Sequence, residues 1–244
     1  MPFAETSLRE QYAAAVERVA GRTLDALRGG GDPAALVEPD AAVPRPLLAA
    51  VRLLGADLLA PSLFGGGEPD PATAALLAEA RRVVPAPAPP SEQAALVIAW
   101  QDWAAGRLLV RAGHAEAVPR PAPLPGPEDL GWQAWSVRMS QLSVLALPTL
   151  DGPVHDAALA HALALARGTV RSMLRRDLTT AARLARWLAW TEAEGGRSRL
   201  DLEPVLDRIA LAGDGSARTG LELAVARRLL DRARPSDAEG GRAA

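Results

Sequence analysis

Hydrophobic residues recur along most of this chain at intervals of three and four positions, the spacing of one face of an α-helix. Near the start, Leu8, Tyr12, Val16, Val19 and Leu27 fall on one such face. No run alternates apolar and polar residues over the length of a strand. The pattern therefore predicts an all-α fold of about nine helices in a compact multi-helix bundle, with no significant β-sheet.

Polar residues mark where the helices should begin. Ser7 with Glu10, and Thr219 with Glu222, have the spacing of a capping box, in which each side chain accepts from the other residue's backbone amide. Further caps are predicted at Asp32, Asp70, Ser91 and Asp201. The first helix should end at the glycines 29–31, and a turn at 214–216 should precede the last helix. The other helices are predicted over residues 45–60, 71–84, 91–113, 127–147, 153–176, 178–194, 202–212 and 219–233.

Two proline-rich segments, 85–90 and 119–127, are predicted to be stiff, extended connectors. Proline fixes φ and disfavours helix in the residue before it. We predict one helical domain over residues 1–234, with the connectors as straps across it. In the alternative, the segment 85–90 joins two lobes, 1–84 and 91–234. The polar residues 235–244 are predicted to form a disordered tail.

The amino-acid composition excludes several kinds of catalytic and metal-binding site. The 244 residues include no cysteine, and all 27 of the Lys and Arg residues are arginine. A thiol nucleophile, a thiolate zinc site, a Schiff-base lysine and a phosphate-loop lysine are therefore excluded. The glycine runs 29–31 and 65–67 follow predicted helices rather than strands, so they do not predict phosphate-binding loops. We expect no cofactor.

Composition also bears on source and location. The lack of lysine and asparagine, with abundant Ala, Arg, Gly and Pro, indicates a GC-rich genome such as that of a high-GC bacterium. The first residues do not read as a secretory leader, and no uninterrupted apolar stretch approaches the roughly 20 residues of a membrane span. We therefore expect a cytoplasmic protein without membrane contact.

The tryptophans occur as pairs spaced three residues apart, Trp100/Trp103, Trp132/Trp135 and Trp187/Trp190. Residues at this spacing share a helix face. The preferred interpretation is hydrophobic core, because tryptophan buries a large area. The alternatives are an aromatic pocket for an apolar or cationic ligand, and an exposed face for a partner. Trp190 is expected to stack on Arg183 or Arg186 at the surface.

The predicted helix 153–176 carries a basic stripe, because Arg167, Arg171 and Arg175 are four residues apart. Such a stripe is either a solvated face neutralised by carboxylates of other helices, or a site for an acidic protein surface or an organic anion, to which Arg183 and Arg186 would add. Nucleic acid is the less favoured partner, since the chain is not basic overall. The residues expected on the buried side are His155, Leu159, Leu163, Ala166, Val170 and Met173.

The three histidines give only weak catalytic candidates. His155 follows Asp151 and precedes Asp156, so a neutral imidazole there could act as a base with either aspartate as its orienter. On a regular helix His155 and His161 point in different directions and cannot chelate one ion, while His114 lies in a loop. We therefore expect a hydrogen-bonded structural histidine and no metal site.

Two hypotheses for function remain. The leading one is a non-enzymatic interaction, accessory or assembly protein that uses its arginine-rich helix face to bind an acidic partner. The runner-up is a small-molecule-binding protein or enzyme with a tryptophan-lined pocket and His155 as base or ligand. The sequence makes no prediction of oligomeric state.

Overall fold

The structure, a computed structural model, describes residues 2–30, 43–115 and 118–234. In these residues the fold is all-α, without strands, and ten of the helices have at least seven residues. The helices are α1 Pro2–Leu27, α2 Arg45–Leu54, α3 Ala60–Gly65, α4 Pro71–Val83, α5 Glu92–Arg111, α6 Pro127–Leu130, α7 Trp132–Gln141, α8 Pro153–Ala160, α9 Ala162–Leu174, α10 Leu178–Ala193, α11 Leu202–Ala212 and α12 Ala217–Ala233. Short 3₁₀ segments follow α2 (Gly55–Leu59) and α7 (Ser143–Leu145). The prediction of an all-α fold is confirmed.

Helix α10 forms the centre of the bundle. It packs against α12, α9, α11 and α7, and every residue from 184 to 191 is buried. A helix that is apolar on all sides belongs inside a protein, and this one is rich in alanine, leucine and tryptophan. The other helices of the C-terminal half are arranged around it.

The second half of the first helix packs against the last helix. The Glu17 carboxylate accepts a hydrogen bond from the Ala217 amide (2.7 Å), one of the unsatisfied N–H groups at the start of α12. Arg228 in turn donates to the carbonyl of Leu27 at the end of α1 (2.7 Å). Residues of the two possible lobes thus meet here, although the division into domains stays a prediction.

Several predicted helices are shorter in the structure, and two glycines explain where they stop. The predicted helix 127–147 is divided by Gly131 (φ 74°), and the predicted helix 45–60 leaves α-helical geometry at Gly55 (φ 56°). Both backbones lie in the left-handed region, which glycine adopts without steric cost. The predicted helix 153–176 is also two helices, because His161 leaves the helical region and its carbonyl accepts from the Ala164 amide at the start of α9.

The predicted caps had mixed outcomes. Asp70 and Ser91 cap α4 and α5 as predicted, through hydrogen bonds from the amides of Thr73 and Ala94. Asp201 holds the cap position of α11 without a side-chain hydrogen bond. Asp32 lies outside the described residues, as do 235–244, the predicted tail.

Both predicted capping boxes are wrong. Helix α1 begins at Pro2, so Ser7 and Glu10 lie inside it. The cap of α12 is Ser216, at the end of the predicted turn, and its hydroxyl accepts from the Thr219 amide (3.3 Å). Glu222 is engaged in a buried ion pair instead of a cap.

The segment Arg45–Gly65 is long and apolar enough to cross a membrane by length and composition alone. The segment agrees with the prediction that no uninterrupted apolar stretch is long enough for a membrane span, because Arg52 and Asp57 interrupt it. In the fold, 61% of its most apolar window is buried within the protein, as in a core helix.

Candidate functional site

The outer face of α9 combines large exposed aliphatic side chains with arginines. Leu163, Val170 and Leu174 are 52%, 41% and 81% exposed. At about 100° per residue these three side chains and Arg167 fall within a sector of roughly 60°. Arg171 and Arg175 follow on one side of that sector. We call Leu163, Arg167, Val170, Arg171, Leu174 and Arg175 the α9 face.

The predicted apolar side of helix 153–176 is wrong in part, although His155 and Ala166 are buried and Met173 packs against the core as predicted. Leu159, Leu163 and Val170, expected inside, are exposed, and the buried residues are mostly small: Ala162, Ala164, Leu165, Ala166, Gly168 and Thr169. Helix α9 approaches α7 so closely that a Cβ atom at Gly168 would lie 2.6 Å from the Cβ of Ser136. Small residues permit that approach, and the large aliphatic side chains are left outside.

The three arginines of the predicted stripe lie where the sequence analysis placed them. Arg167 and Arg175 are exposed and Arg171 is half-buried, with its guanidinium 5.7 Å from the ring centroid of Trp132. This is cation–π geometry, and it fixes Arg171 beside α7. Among the described residues no carboxylate forms an ion pair with any of the three. Within the described part of the chain, carboxylates of neighbouring helices therefore do not neutralise the stripe.

A shallow groove extends the α9 face toward α7. It has a volume of about 290 Å³, and its lining includes Arg171, Arg175 and Asp177 together with Val137, which is 53% exposed. Two arginines of the α9 face thus share a groove with an exposed apolar side chain of α7.

Arg183 and Arg186, the other two predicted partner-binding residues, do not join the α9 face. Arg186 is fully buried, and its guanidinium donates to Asp57 (2.6 Å), to Glu222 (3.0 Å) and to the carbonyl of Ala146 (3.1 Å). Arg186 is therefore inaccessible to a partner. Arg183 is 22% exposed and lies 3.5 Å from Glu222.

Arg186, Asp57 and Glu222 form a buried cluster whose charges compensate one another. Burial, the strongest influence on Arg186, disfavours its charged form, but Asp57 and Glu222 outweigh it and raise the pKa of Arg186. Burial raises the pKa of Asp57, against the opposing effect of Arg186. Because the Arg186 guanidinium makes charge-assisted hydrogen bonds to both carboxylates, we describe the cluster as a cation held between two anions.

The weak catalytic candidates are not assembled into one site. His155 is 2% exposed, and its Nε2 lies 2.9 Å from the carbonyl of Leu145. Asp151 and Asp156 are exposed at the surface and form no hydrogen bond with the imidazole in this part of the chain. Over the described residues no group of three or more His, Asp or Glu side chains is arranged to hold a metal ion.

Five of the six tryptophans are buried. Trp100, Trp103, Trp135, Trp187 and Trp190 are at most 4% exposed, and Trp132 is half-buried. The expectation that Trp190 lies at the surface is wrong, since its ring packs against His155 (4.8 Å between centroids) and Trp187 (5.8 Å) in the core.

The buried tryptophans also hold the second proline-rich connector in place. The Trp100 indole donates to the carbonyl of Ala122 (3.1 Å), and the guanidinium of Arg120 lies 5.7 Å from the ring centroid of Trp103. The segment therefore runs across α5 as a strap.

The sequence analysis missed the charged residues of the interior, Asp57 and Glu222, and the ion pairs of Asp102. A signal was available, because Asp57 interrupts an otherwise apolar segment and Glu222 lies between Leu221 and Leu223. Charged residues in apolar surroundings are rarely buried without a partner. Their spacing still gives no indication of which arginine each would meet.

The α9 face and the buried cluster are thus the features from which function must be argued. No protein-family model, no curated protein and no solved structure matches this chain.

Proposed function

We propose that this protein is a non-enzymatic, cytoplasmic interaction or accessory protein whose α9 face binds an acidic protein surface. The observation that carries the proposal is the exposed apolar ridge of Leu163, Val170 and Leu174 beside arginines without carboxylate partners among the described residues. Apolar patches bordered by polar residues are typical of interaction sites.

The positive charge of the α9 face indicates that the partner surface carries carboxylates. Arginines four residues apart repel one another and destabilise a helix by about 0.2–0.5 kcal/mol per pair. Carboxylates of a partner would remove that repulsion and accept bidentate hydrogen bonds from the guanidinium groups. The apolar ridge requires aliphatic side chains between those carboxylates. An amphipathic helix with leucines along one side and glutamates next to them meets both requirements.

Nucleic acid fits this face less well than a protein does. Phosphate contacts need a dense basic surface and tolerate few exposed aliphatic side chains. Here three large aliphatic residues lie among the arginines, and the chain as a whole has a formal charge of −2.

The proposal is tested with a fluorescein-labelled synthetic helix that carries leucines along one face and glutamates beside them, measured by fluorescence anisotropy. We expect the triple variant Arg167→Glu, Arg171→Glu and Arg175→Glu to weaken binding about 10-fold or more, since three attractive contacts become repulsive. Helicity by circular dichroism should remain as in the wild type, because these side chains lie outside the core.

The matched control reverses three exposed arginines that are not part of the α9 face, at Arg197, Arg199 and Arg208. It changes the net charge by the same amount, so its binding should stay within about twofold of the wild type if the contact is local. Equal weakening by both triple variants, or equal binding of a peptide with the same composition in scrambled order, would contradict the proposal.

A further inference from the structure

A separate cleft of about 720 Å³ lies on the N-terminal side of the bundle, where α1, α2 and α5 meet. The ends of α4 and α7 and single turns of α10 and α12 complete its wall. No residue of α9 lines it, so it is distinct from the α9 face. Its volume lies within the range of about 300–1,000 Å³ typical of small-molecule sites.

Much of the cleft is apolar. Val16 of α1, Leu53 of α2, Val97 and Ile98 of α5 and Val144 after α7 contribute to its lining. Leu53 is 54% exposed, although it belongs to a helix that is otherwise largely buried. An exposed leucine at the edge of an apolar cleft is a contact surface for the apolar body of a ligand.

The polar part of the lining is dominated by guanidinium groups. Among the described residues, five arginines line the cleft together with the three carboxylates of Asp57, Asp102 and Glu222. The arginines come from five different helices and are Arg9, Arg52, Arg81, Arg183 and Arg218. The described lining thus has two more cations than anions and partly apolar walls, a combination that favours a bound anion.

Asp102 is shared between two of these arginines. Its carboxylate lies 2.7 Å from Arg81 and 3.3 Å from Arg52, and both arginine side chains are at most 12% exposed. The Asp102 carboxylate thus helps to hold both guanidinium groups in place on this side of the cleft.

Asp57 and Glu222 of the buried cluster form another part of the cleft wall. Arg186 binds Asp57 and Glu222 from the interior, and Ser143 donates to Glu222 from one side (2.9 Å). These two carboxylates are thereby already satisfied within the protein. Arg218, one helical turn before Glu222 on α12, forms no ion pair with a carboxylate of the described residues.

We propose that this cleft binds an amphipathic organic anion, with its carboxylate, sulfonate or phosphate group at Arg218 and Arg183 and its apolar body against Leu53, Val97 and Ile98. The inference does not depend on the function proposed for α9. It assigns a class of ligand and no reaction.

The test compares two dyes that differ in one anionic group, 1-anilinonaphthalene-8-sulfonate and N-phenyl-1-naphthylamine. Both increase in fluorescence in apolar surroundings, so each can be titrated into the full chain. We expect the sulfonate to bind at least about 10-fold more tightly, because charge-assisted hydrogen bonds from arginine are available only to the anion.

Variants then locate the binding site. Arg218→Gln should weaken the sulfonate about 10-fold and leave the neutral dye unchanged, whereas Leu53→Gln should weaken both. Arg232→Gln, an exposed arginine on the same helix, is the matched control and should change neither affinity. Arg183→Gln, which removes the other proposed anion contact from a different helix, should have the same effect and serves as the second variant if Arg218→Gln lowers the thermal midpoint.

The α9 face could itself attract the anionic dye, so the triple α9 variant is titrated as well. Unchanged dye binding in that variant supports the cleft. Loss of dye binding there, equal affinity for the two dyes, or a loss at Arg232→Gln as large as at Arg218→Gln would overturn the proposal.

Discussion

His155 illustrates how a titratable group can be built into a hydrophobic core. Its ring lies against Trp187 and Trp190, with centroid distances of 5.4 and 4.8 Å. The carbonyl of Leu145 can only accept, so Nε2 carries the proton and donates to it. The Nδ1 atom is buried and has no hydrogen-bond partner among the residues that the structure describes. A second proton on this ring would therefore meet no acceptor.

The burial of His155 makes the stability of the fold depend on pH. Burial lowers the pKa of His155, against the opposing effects of its hydrogen bond to Leu145 and of the charges of Asp151 and Asp156. The unfolded chain then binds a proton at a higher pH than the folded chain. The stabilisation is complete above the unfolded pKa of about 6.5 and is lost as pH falls from there toward the folded pKa.

We expect the free energy of unfolding of the wild type to fall more steeply between pH 7 and pH 5 than that of His155→Gln. The variant keeps a donor for Leu145 and removes the proton-binding site. The difference in slope should approach at most about 1.4 kcal/mol per pH unit, the limit for one proton. Urea denaturation at several pH values measures it. Parallel profiles for the wild type and His155→Gln would refute this account.

At the level of helices, packing of α9 depends on a small residue at Gly168. A Cβ atom there would lie 2.6 Å from the Cβ of Ser136 and 3.0 Å from Leu184. Both neighbours belong to helices that are held in the core, so neither can move without loss. At Gly21, inside α1, an added Cβ would lie 3.8 Å from the nearest atom, Cβ of Ala217, which is ordinary contact.

These two glycines make a matched pair for mutation. Gly168→Ala should destabilise the protein by about 1–3 kcal/mol, because the strain of overpacking exceeds the gain in helix propensity. Gly21→Ala should stabilise it by roughly 0.4–1 kcal/mol, since it restricts the unfolded chain without a clash. Midpoints of urea unfolding with unchanged slopes test both. Stabilisation by Gly168→Ala would mean that α9 does not approach α7 closely.

A comparison of helices α4, α5 and α9 shows what periodicity can and cannot predict. The caps at Asp70 and Ser91 were predictable because each involves an amide three residues away. The buried side of α9 was not, because spacing identifies an apolar face without telling which side is covered. Leu163 and Val170 fit the core pattern, but the close approach at Gly168 leaves them outside.

At the scale of the whole molecule, distant residues determine features that local spacing cannot predict. Glu222 has the spacing of a cap with Thr219, yet it binds Arg186, 36 residues away, and Arg186 also binds Asp57, 129 residues away. The cleft has the same origin, since its arginines converge from separate helices. Fold class and the arginine stripe of α9 followed from periodicity, whereas the exposed aliphatic residues of α9 and the cleft required the tertiary arrangement.

The buried cluster joins α10, α12 and the 3₁₀ segment after α2, so its loss should affect the whole fold. Arg186→Met leaves two carboxylates in the interior without their shared cation. Removing one member of a buried ion pair costs about 3–5 kcal/mol, whereas replacing all members by apolar residues is often neutral. We therefore expect Arg186→Met to destabilise the protein by about that amount in urea at pH 7.

The triple variant Asp57→Leu, Arg186→Met and Glu222→Met should recover most of that loss. Recovery should be incomplete, because Ser143 and the carbonyl of Ala146 lose their partners in the cluster. Since the triple variant removes both carboxylates from the wall of the cleft, it should also bind anilinonaphthalene sulfonate no more weakly than the wild type. A triple variant as unstable as Arg186→Met would show that the cluster stabilises the fold through its shape and not through compensation of charge.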